Sequence, residues 1–181
     1  MTVKANKPRS TLLAAWLAAS SLLAPAILQA QALNPIWNGD WRLQQASIPQ
    51  AAPPTLKTGG ATRTQWTAGS KTCDMAYDGT VTQAALLTRL AGLQDWQLRP
   101  GNWPSGTDTS QLVGLRKEFD DAQKLLQSLP PDTYRRVRLA GPGCDTADDH
   151  FLLLNEGLRL FSIHFPANGL GADVALYQRI R

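Results

Sequence analysis

The two cysteines of the chain, Cys73 and Cys144, place the strongest single constraint on its fold. They lie 71 residues apart, and an even number of cysteines in an oxidising compartment is typical of disulfide pairing. A bond between them requires the segments around both residues to meet in space. Closing a loop of this length is expected to stabilise the fold by about 4 kcal/mol. The chain has no Cys-x-x-Cys motif, so the pair predicts a structural disulfide rather than a redox or metal site.

The N-terminal segment predicts export to such a compartment. Three basic residues and no acidic one precede a small and apolar run over residues 12–28, which ends at Ala30-Gln31-Ala32. This plan is typical of a secretory signal peptide cleaved near Ala32, and the alternative is a retained N-terminal anchor. We therefore expect residues 1–32 to be a signal peptide, the periplasm or the medium to be the destination, and no membrane span to remain after cleavage.

Composition excludes general disorder and, after signal cleavage, a nucleic-acid partner. Hydrophobic residues make up 43% of the chain and charged residues 18%. The formal net charge of +4 and the pI near 9.3 suggest a basic surface. Removing the first 32 of the 181 residues leaves 149 and takes away three of the 18 basic residues and none of the 14 acidic ones, so the net charge falls to +1. A nucleic-acid-binding surface needs a basic excess that this remainder lacks.

Alternating and apolar segments predict a mostly antiparallel sheet. Strands are expected in six segments: 36–43, 62–67, 134–139, 151–154, 158–165 and 174–180. Residues 46–60 are rich in proline and glycine and predict a solvated connection rather than a packed element. The domain plan is therefore a first strand and connection over 33–60, followed by the remainder of a single domain over 61–181. Short links between neighbouring strands favour a meander.

Two helices are expected between these strands. A short helix is predicted over residues 82–93, and a long amphipathic helix over residues 110–129 is stopped by Pro130-Pro131. The apolar stripe of the long helix recurs in steps of three and four: Leu112, Leu115, Phe119, Ala122, Leu126 and Leu129. Its opposite face mixes positive and negative charges, which favours packing on the protein's own core over a membrane surface. The predicted fold class is α+β: an antiparallel sheet, either open or closed into a barrel, with one long helix in a single domain.

Both cysteines begin the same pattern, C-D-x-A-x-D, over residues 73–78 and 144–149. A disulfide would bring the two acidic patches together, and five aspartates could then supply oxygen ligands to Ca²⁺. The spacing is not that of an EF-hand, and aspartate is common in turns because its side chain bonds to nearby backbone groups. Turns are therefore expected at both positions.

Four polar residues of the predicted hairpin could carry chemistry: Asp148, His150, Ser162 and His164. If Leu154 faces Leu158 across a three-residue turn at 155–157, His150 pairs with Ser162 and Asp148 with His164, all on one face. Such a set could form a hydrolytic site or part of a zinc site. The alternative is that both histidines only border the core.

Tryptophans and the absence of established catalytic motifs favour binding over catalysis. Four tryptophans are candidates for lining a ligand pocket: Trp41, Trp66, Trp96 and Trp103. We expect a non-catalytic exported protein that binds a small apolar ligand or an envelope protein and needs no cofactor. One alternative is a secreted inhibitor or interaction module that uses residues 94–108 or 134–138. The other is a hydrolase or metal-binding protein built on the histidine pair.

The two ends of the predicted domain resemble the lipocalin-like, or calycin, plan. Gly39-Asp40-Trp41 forms a G-x-W in the first predicted strand, and the chain ends in a strand that carries Arg179 and Arg181. In calycins a tryptophan of the first strand is covered by a basic side chain from near the end of the barrel. The resemblance implies that Trp41 is this tryptophan and that Arg179 or Arg181 covers it. It also implies an antiparallel barrel that holds a small apolar ligand, or a small secreted inhibitor with a similar barrel.

Overall fold

The computed structural model describes residues 35–60, 64–99, 101–103, 108–141, 144, 149–166 and 171–180. The predicted signal peptide, Asp148 and Arg181 lie outside the described residues. In chain order the elements are the short 3₁₀ helix Pro35–Trp37, β1 Gly39–Ala46, β2 Thr55–Gly59, β3 Gln65–Ala68, β4 Lys71–Thr82, α1 Gln83–Gln97, α2 Thr109–Gln127, β5 Thr133–Ala140, β6 Asp149–Asn155, β7 Arg159–Phe165 and β8 Asp173–Arg179.

The strands form a closed barrel in sequence order. Each strand pairs antiparallel with the next, and β8 pairs antiparallel with β1, where Trp41 lies opposite Arg179. The prediction of an α+β domain with a mostly antiparallel meander is confirmed, and the sheet closes on itself. No helix within the described ranges is long and apolar enough to cross a membrane.

Strand side chains alternate between the inside and the outside of the barrel, so the fold has two cores. The inner core fills the barrel and includes Trp41, Trp66, Met75, Val137, Leu152, Leu160 and Tyr177. The outer core joins the helices to the outer face of the strands and includes Leu86, Leu90, Phe119, Leu126, Phe151, Phe161 and Val174. Along β6 the alternation is strict: Leu152 faces inward, whereas Phe151 and Leu153 face the helices.

Both predicted helices are present, and both pack on the outside of the barrel. Helix α2 begins after Asp108, whose carboxylate accepts a hydrogen bond from the Ser110 N–H at 2.9 Å. Its apolar stripe buries Phe119, Ala122 and Leu126 completely in the outer core. The mixed-charge face of α2 remains exposed, as expected for a helix laid on its own protein.

Two sequence predictions about the first half of the chain are wrong. Strand β2 lies inside the 46–60 segment that was expected to be a solvated connection, and Leu56 and Thr58 from it are buried in the barrel. The segment 73–78 is part of β4 rather than a turn. Its last aspartate, Asp78, lies in a bulge instead, because β4 has an extra residue opposite β5 between Tyr77 and Thr80.

The Cys73–Cys144 disulfide is present, with the two Cα atoms 5.8 Å apart. It ties β4, where Cys73 is buried, to the segment that follows β5. The bond therefore joins β4 to the β5–β6 connection at one end of the barrel.

Replacing both cysteines by serine should lower the free energy of unfolding by about 3–4 kcal/mol, because the unfolded chain then loses a 71-residue loop. Guanidinium unfolding of the double variant and of the native protein under non-reducing conditions measures the difference. A change below about 1 kcal/mol would show that the bond adds little to the closed barrel.

Barrel closure involves a contact between Trp41 and Arg179. The guanidinium lies 4.9 Å from the centre of the indole ring, and Arg179 Nη2 donates to the carbonyls of Ile36 at 2.5 Å and Asn38 at 2.6 Å. Trp41 is fully buried, and its Nε1–H donates to Thr58 Oγ1 at 2.7 Å.

A Cβ at Gly39 would lie only 2.9 Å from Arg179 Nε. The glycine of Gly39-Asp40-Trp41 therefore leaves room for the Arg179 side chain.

Substituting Gly39→Ala should destabilise the native protein by about 1–2 kcal/mol, because the new methyl group displaces a guanidinium that two hydrogen bonds hold over Trp41. The same substitution in an Arg179→Ala background should cost little, since the obstructing guanidinium is gone. Thermal or denaturant unfolding of the four proteins in this double-mutant cycle measures the coupling. Equal costs in both backgrounds would contradict the steric account.

Candidate functional site

A cavity of about 550 Å³ lies at one end of the barrel. Because the strands are antiparallel, the connections β1–β2, β3–β4, β5–β6 and β7–β8 all lie at this end, which we call the mouth. Part of the cavity wall is the proline-containing segment 50–54, and the disulfide forms another part. Trp66, Leu139 and Ala175 supply apolar lining. The volume falls in the range of ordinary small-molecule sites.

The four tryptophans predicted to bind a ligand are not brought together. Trp66 lines the cavity and is 5% exposed. Trp41 packs at the opposite end of the barrel, with Arg179 over its ring. Trp96 lies on α1 and is 51% exposed, and Trp103 follows α1 and donates its indole N–H to the Gln97 carbonyl.

A row of polar side chains crosses the inner wall of the cavity on three adjacent strands. His150 on β6 lies opposite His164 on β7, and His164 lies opposite Asp173 on β8. The two imidazole rings have centroids 5.2 Å apart. His150 Nε2 and Ser162 Oγ are 2.8 Å apart, within hydrogen-bond distance. All four residues line the cavity, so the structure brings together three of the four residues singled out in the sequence.

The predicted hairpin register is wrong, although the predicted face is right. Leu154 pairs with Leu160 rather than with Leu158. The turn starts later because Glu156 and Gly157 both adopt positive φ, 53° and 69°, and the Leu158 N–H donates to the Asn155 carbonyl.

In the observed register every cross-strand partner differs from the predicted one by two positions. A shift of two positions keeps each side chain on the same face of the sheet. His150 therefore lies directly opposite His164, and its hydrogen bond to Ser162 is diagonal. The prediction that Asp148 pairs with His164 is wrong as well. Asp149 is the first residue of β6 and lies opposite Phe165, whereas the acid beside His164 is Asp173.

The polar row does not assemble the expected catalytic or metal geometry. Ser162 bonds to His150, but the aspartate of the row lies beside the other histidine, so the order differs from a Ser-His-Asp triad. Within the described ranges, no group of three histidine, cysteine or acidic residues is placed to hold a metal ion.

Asp173 is an acid of the cavity wall whose pKa is strongly shifted. The pKa of its carboxyl is raised from 3.8 to about 6, mainly by burial; His164 opposes this rise, and Glu118 on α2 adds to it. Its Oδ1 is buried and has no hydrogen-bond partner among the described residues. Burial also raises the pKa of the neighbouring Tyr177, so its hydroxyl stays protonated at neutral pH. Asp173 is therefore a carboxylate at neutral pH that the protein itself compensates poorly.

Among the described residues, two aspartates of the C-D-x-A-x-D segments form ion pairs with arginines. Asp78 Oδ2 forms ion pairs with Arg136 at 2.7 Å and Arg138 at 3.0 Å. Asp149 pairs with Arg89. Arginine partners of this kind oppose calcium binding at these two carboxylates.

The two segments predicted as interaction surfaces differ in structure. Residues 134–138 belong to β5, which is paired on both sides by β4 and β6, and two arginines on its outer face are ion-paired. The 94–108 segment starts in α1 and carries the exposed ring of Trp96. Residues 100 and 104–107 of it lie outside the described residues.

Three further residues of the site, Asp173, Ala175 and Tyr177, carry no recognisable signal in the sequence. They alternate along β8, and all three line the cavity. The period-two pattern of the predicted last strand could have placed them on one face, but not next to the histidines. That placement requires the β7–β8 register, which a single sequence does not provide.

No family model, curated protein or solved structure matches this chain. Its function has to be inferred from the cavity and from the residues that line it.

Substituting Asp173→Asn should stabilise the protein at pH 7.5 by about 1–3 kcal/mol and have little effect near pH 4. The folded-state pKa of about 6 lies above the unfolded value, so the folded state binds more protons between about pH 4 and 6 and its stability falls as the pH rises. Asparagine resembles the neutral acid at every pH. Denaturant unfolding at both pH values, with Asp40→Asn on the exposed face of β1 as control, tests this. A variant less stable than the native protein at pH 7.5 would contradict it.

Proposed function

We propose that this protein binds a small, largely apolar ligand in the barrel cavity and does not act on it chemically. The observation that carries the proposal is the 550 Å³ cavity, which combines an apolar wall with a few convergent polar groups. That combination is the usual design of small-ligand sites, in which apolar area supplies affinity and polar groups fix orientation. The order of the polar row, with Asp173 beside His164 rather than beside the histidine bonded to Ser162, gives no support to hydrolysis.

The distribution of side-chain size along the barrel supports this proposal. Large residues fill one end, where Trp41, Leu152 and Leu160 are fully buried. At the mouth, two alanines, Ala68 and Ala175, lie among larger lining residues. An eight-stranded barrel is wide enough either to be filled by its own side chains or to hold one small ligand. Here the barrel leaves room for a ligand at the mouth.

The calycin resemblance is consistent with the same function. The Trp41–Arg179 contact is the arrangement that the resemblance implies for a tryptophan of the first strand and a basic residue near the end of the barrel. The closed eight-stranded meander agrees with it too. Helices α1 and α2 between β4 and β5 depart from a barrel made of strands alone.

An exported location fits the proposal. The disulfide is compatible with an extracellular or periplasmic environment. We propose that residues 1–32 direct the chain there and are removed near Ala32, so that the binding domain meets its ligand outside the cytoplasm.

The binding proposal is tested with an apolar probe whose fluorescence rises when it leaves water, N-phenyl-1-naphthylamine. The native protein should bind it saturably. Ala68→Phe places a ring in the cavity and should weaken binding about tenfold, because the added side chain competes for the same volume. Titration of probe fluorescence gives both affinities.

Ala76→Phe is the matched control, since Ala76 lies on the exposed outer face of β4. It should leave the affinity unchanged. Native protein that gives no saturable signal, or the same affinity for both variants, would contradict binding in the cavity.

A further inference from the structure

We propose that the cavity selects ligands with an amine next to an apolar or aromatic body, and that the ammonium group binds Asp173. This inference rests on the proposed ligand binding and names the chemical class of the ligand. It is carried by the placement of one acid in the cavity wall, beside two histidines and a buried tryptophan.

The charge of Asp173 is poorly compensated by the described residues around it. It lines the cavity, and its Oδ1 is buried without a hydrogen-bond partner among the described residues. A buried carboxylate is costly unless a cation or several donors approach it. A ligand ammonium group supplies both positive charge and up to three N–H donors.

Other charged and titratable groups around Asp173 determine whether the cavity prefers a cationic or an anionic ligand. His164 on β7 lies beside it, His150 follows on β6, and Tyr177 lies further along β8. Glu118 on α2 adds negative potential from the outer side of the barrel, and Lys71 on β4 is exposed at the rim of the mouth. The positive charge of Lys71 is screened by solvent, whereas Asp173 acts in a partly desolvated site.

The aromatic lining fits the body of such a ligand. Trp66 is buried in the cavity wall and contacts His150 edge to face, with ring centroids 5.8 Å apart. The indole ring offers a surface both for an apolar body and for a cation. Tyr177 keeps its hydroxyl proton, because burial raises its pKa, and therefore adds no competing negative charge.

Acid should abolish the preference for the amine. Protonation of Asp173, with a pKa of about 6, removes the anionic partner of the ammonium group. Amine binding should therefore weaken from pH 7.5 to pH 5.0, whereas binding of a neutral analogue should not.

The test uses three probes with the same ring system: 1-naphthylmethylamine, 1-naphthylmethanol and 1-naphthoate. Isothermal titration at pH 7.5 should show the amine binding about tenfold more tightly than the alcohol, and the acid more weakly than either. At pH 5.0 the advantage of the amine should fall about tenfold, since about a tenth of Asp173 stays ionised.

Asp173→Asn should remove the advantage of the amine at pH 7.5 and leave binding of the alcohol within about threefold. Asp40→Asn makes the same charge change on the outside of the barrel and should leave the advantage intact.

Equal binding of amine and alcohol, tighter binding of the acid, or an advantage that survives in Asp173→Asn would overturn the amine proposal while binding in the cavity stands. Failure of all three probes to bind would overturn the proposed function together with it.

Discussion

Closure of β8 onto β1 is the constraint on which the rest of the structure depends. An open eight-stranded sheet would expose two edges and leave its inner face to water. The closure is held by backbone pairing and by Arg179, which lies over Trp41 and bonds to the carbonyls of the residues that precede β1. Trp41 in turn bonds through Thr58 to β2. One arginine therefore ties the last strand to the first strand and to the N-terminal 3₁₀ helix.

Closure also determines where a ligand can be held. The cavity lies at the mouth, where Ala68 and Ala175 are among the lining residues and the β1–β2 segment adds proline and alanine to the wall. The disulfide lies at the same end and restrains the β5–β6 connection beside the cavity. The helices contribute indirectly: they cover the outer faces of β6 to β8, and Glu118 adds to the field at Asp173.

Several features could be predicted from the sequence because they depend on local pattern or on counting. The apolar stripe of α2, the alternation in the last three strands and the paired cysteines each gave a correct element or bond. Strand β2 is not evident in the sequence because prolines and glycines flank a short segment of which only alternate residues are buried. Strand β4 was missed because a bulge interrupts its alternation at Asp78 and Gly79.

The site could be predicted only in part, because its geometry depends on register. Placing His150, Ser162 and His164 on one face required only the two-residue period of a strand. That prediction is therefore correct even though the predicted register differs by two positions. The partner of His164 required the turn conformation at Glu156, where a non-glycine residue adopts positive φ. Asp173 joins the row only through the pairing of β7 with β8. Long-range pairing of this kind leaves little trace in a single sequence.

The central claim is that the barrel holds a small ligand at its mouth, between Trp66 and β8. The most direct measurement is isotope-filtered NMR of the labelled protein with bound 1-naphthylmethylamine. It should show nuclear Overhauser contacts from the naphthyl protons to the methyl groups of Ala68, Leu139 and Ala175, which line the cavity. Contacts confined to exposed apolar residues such as Val113 on α2, with the cavity methyl groups unaffected, would contradict the account.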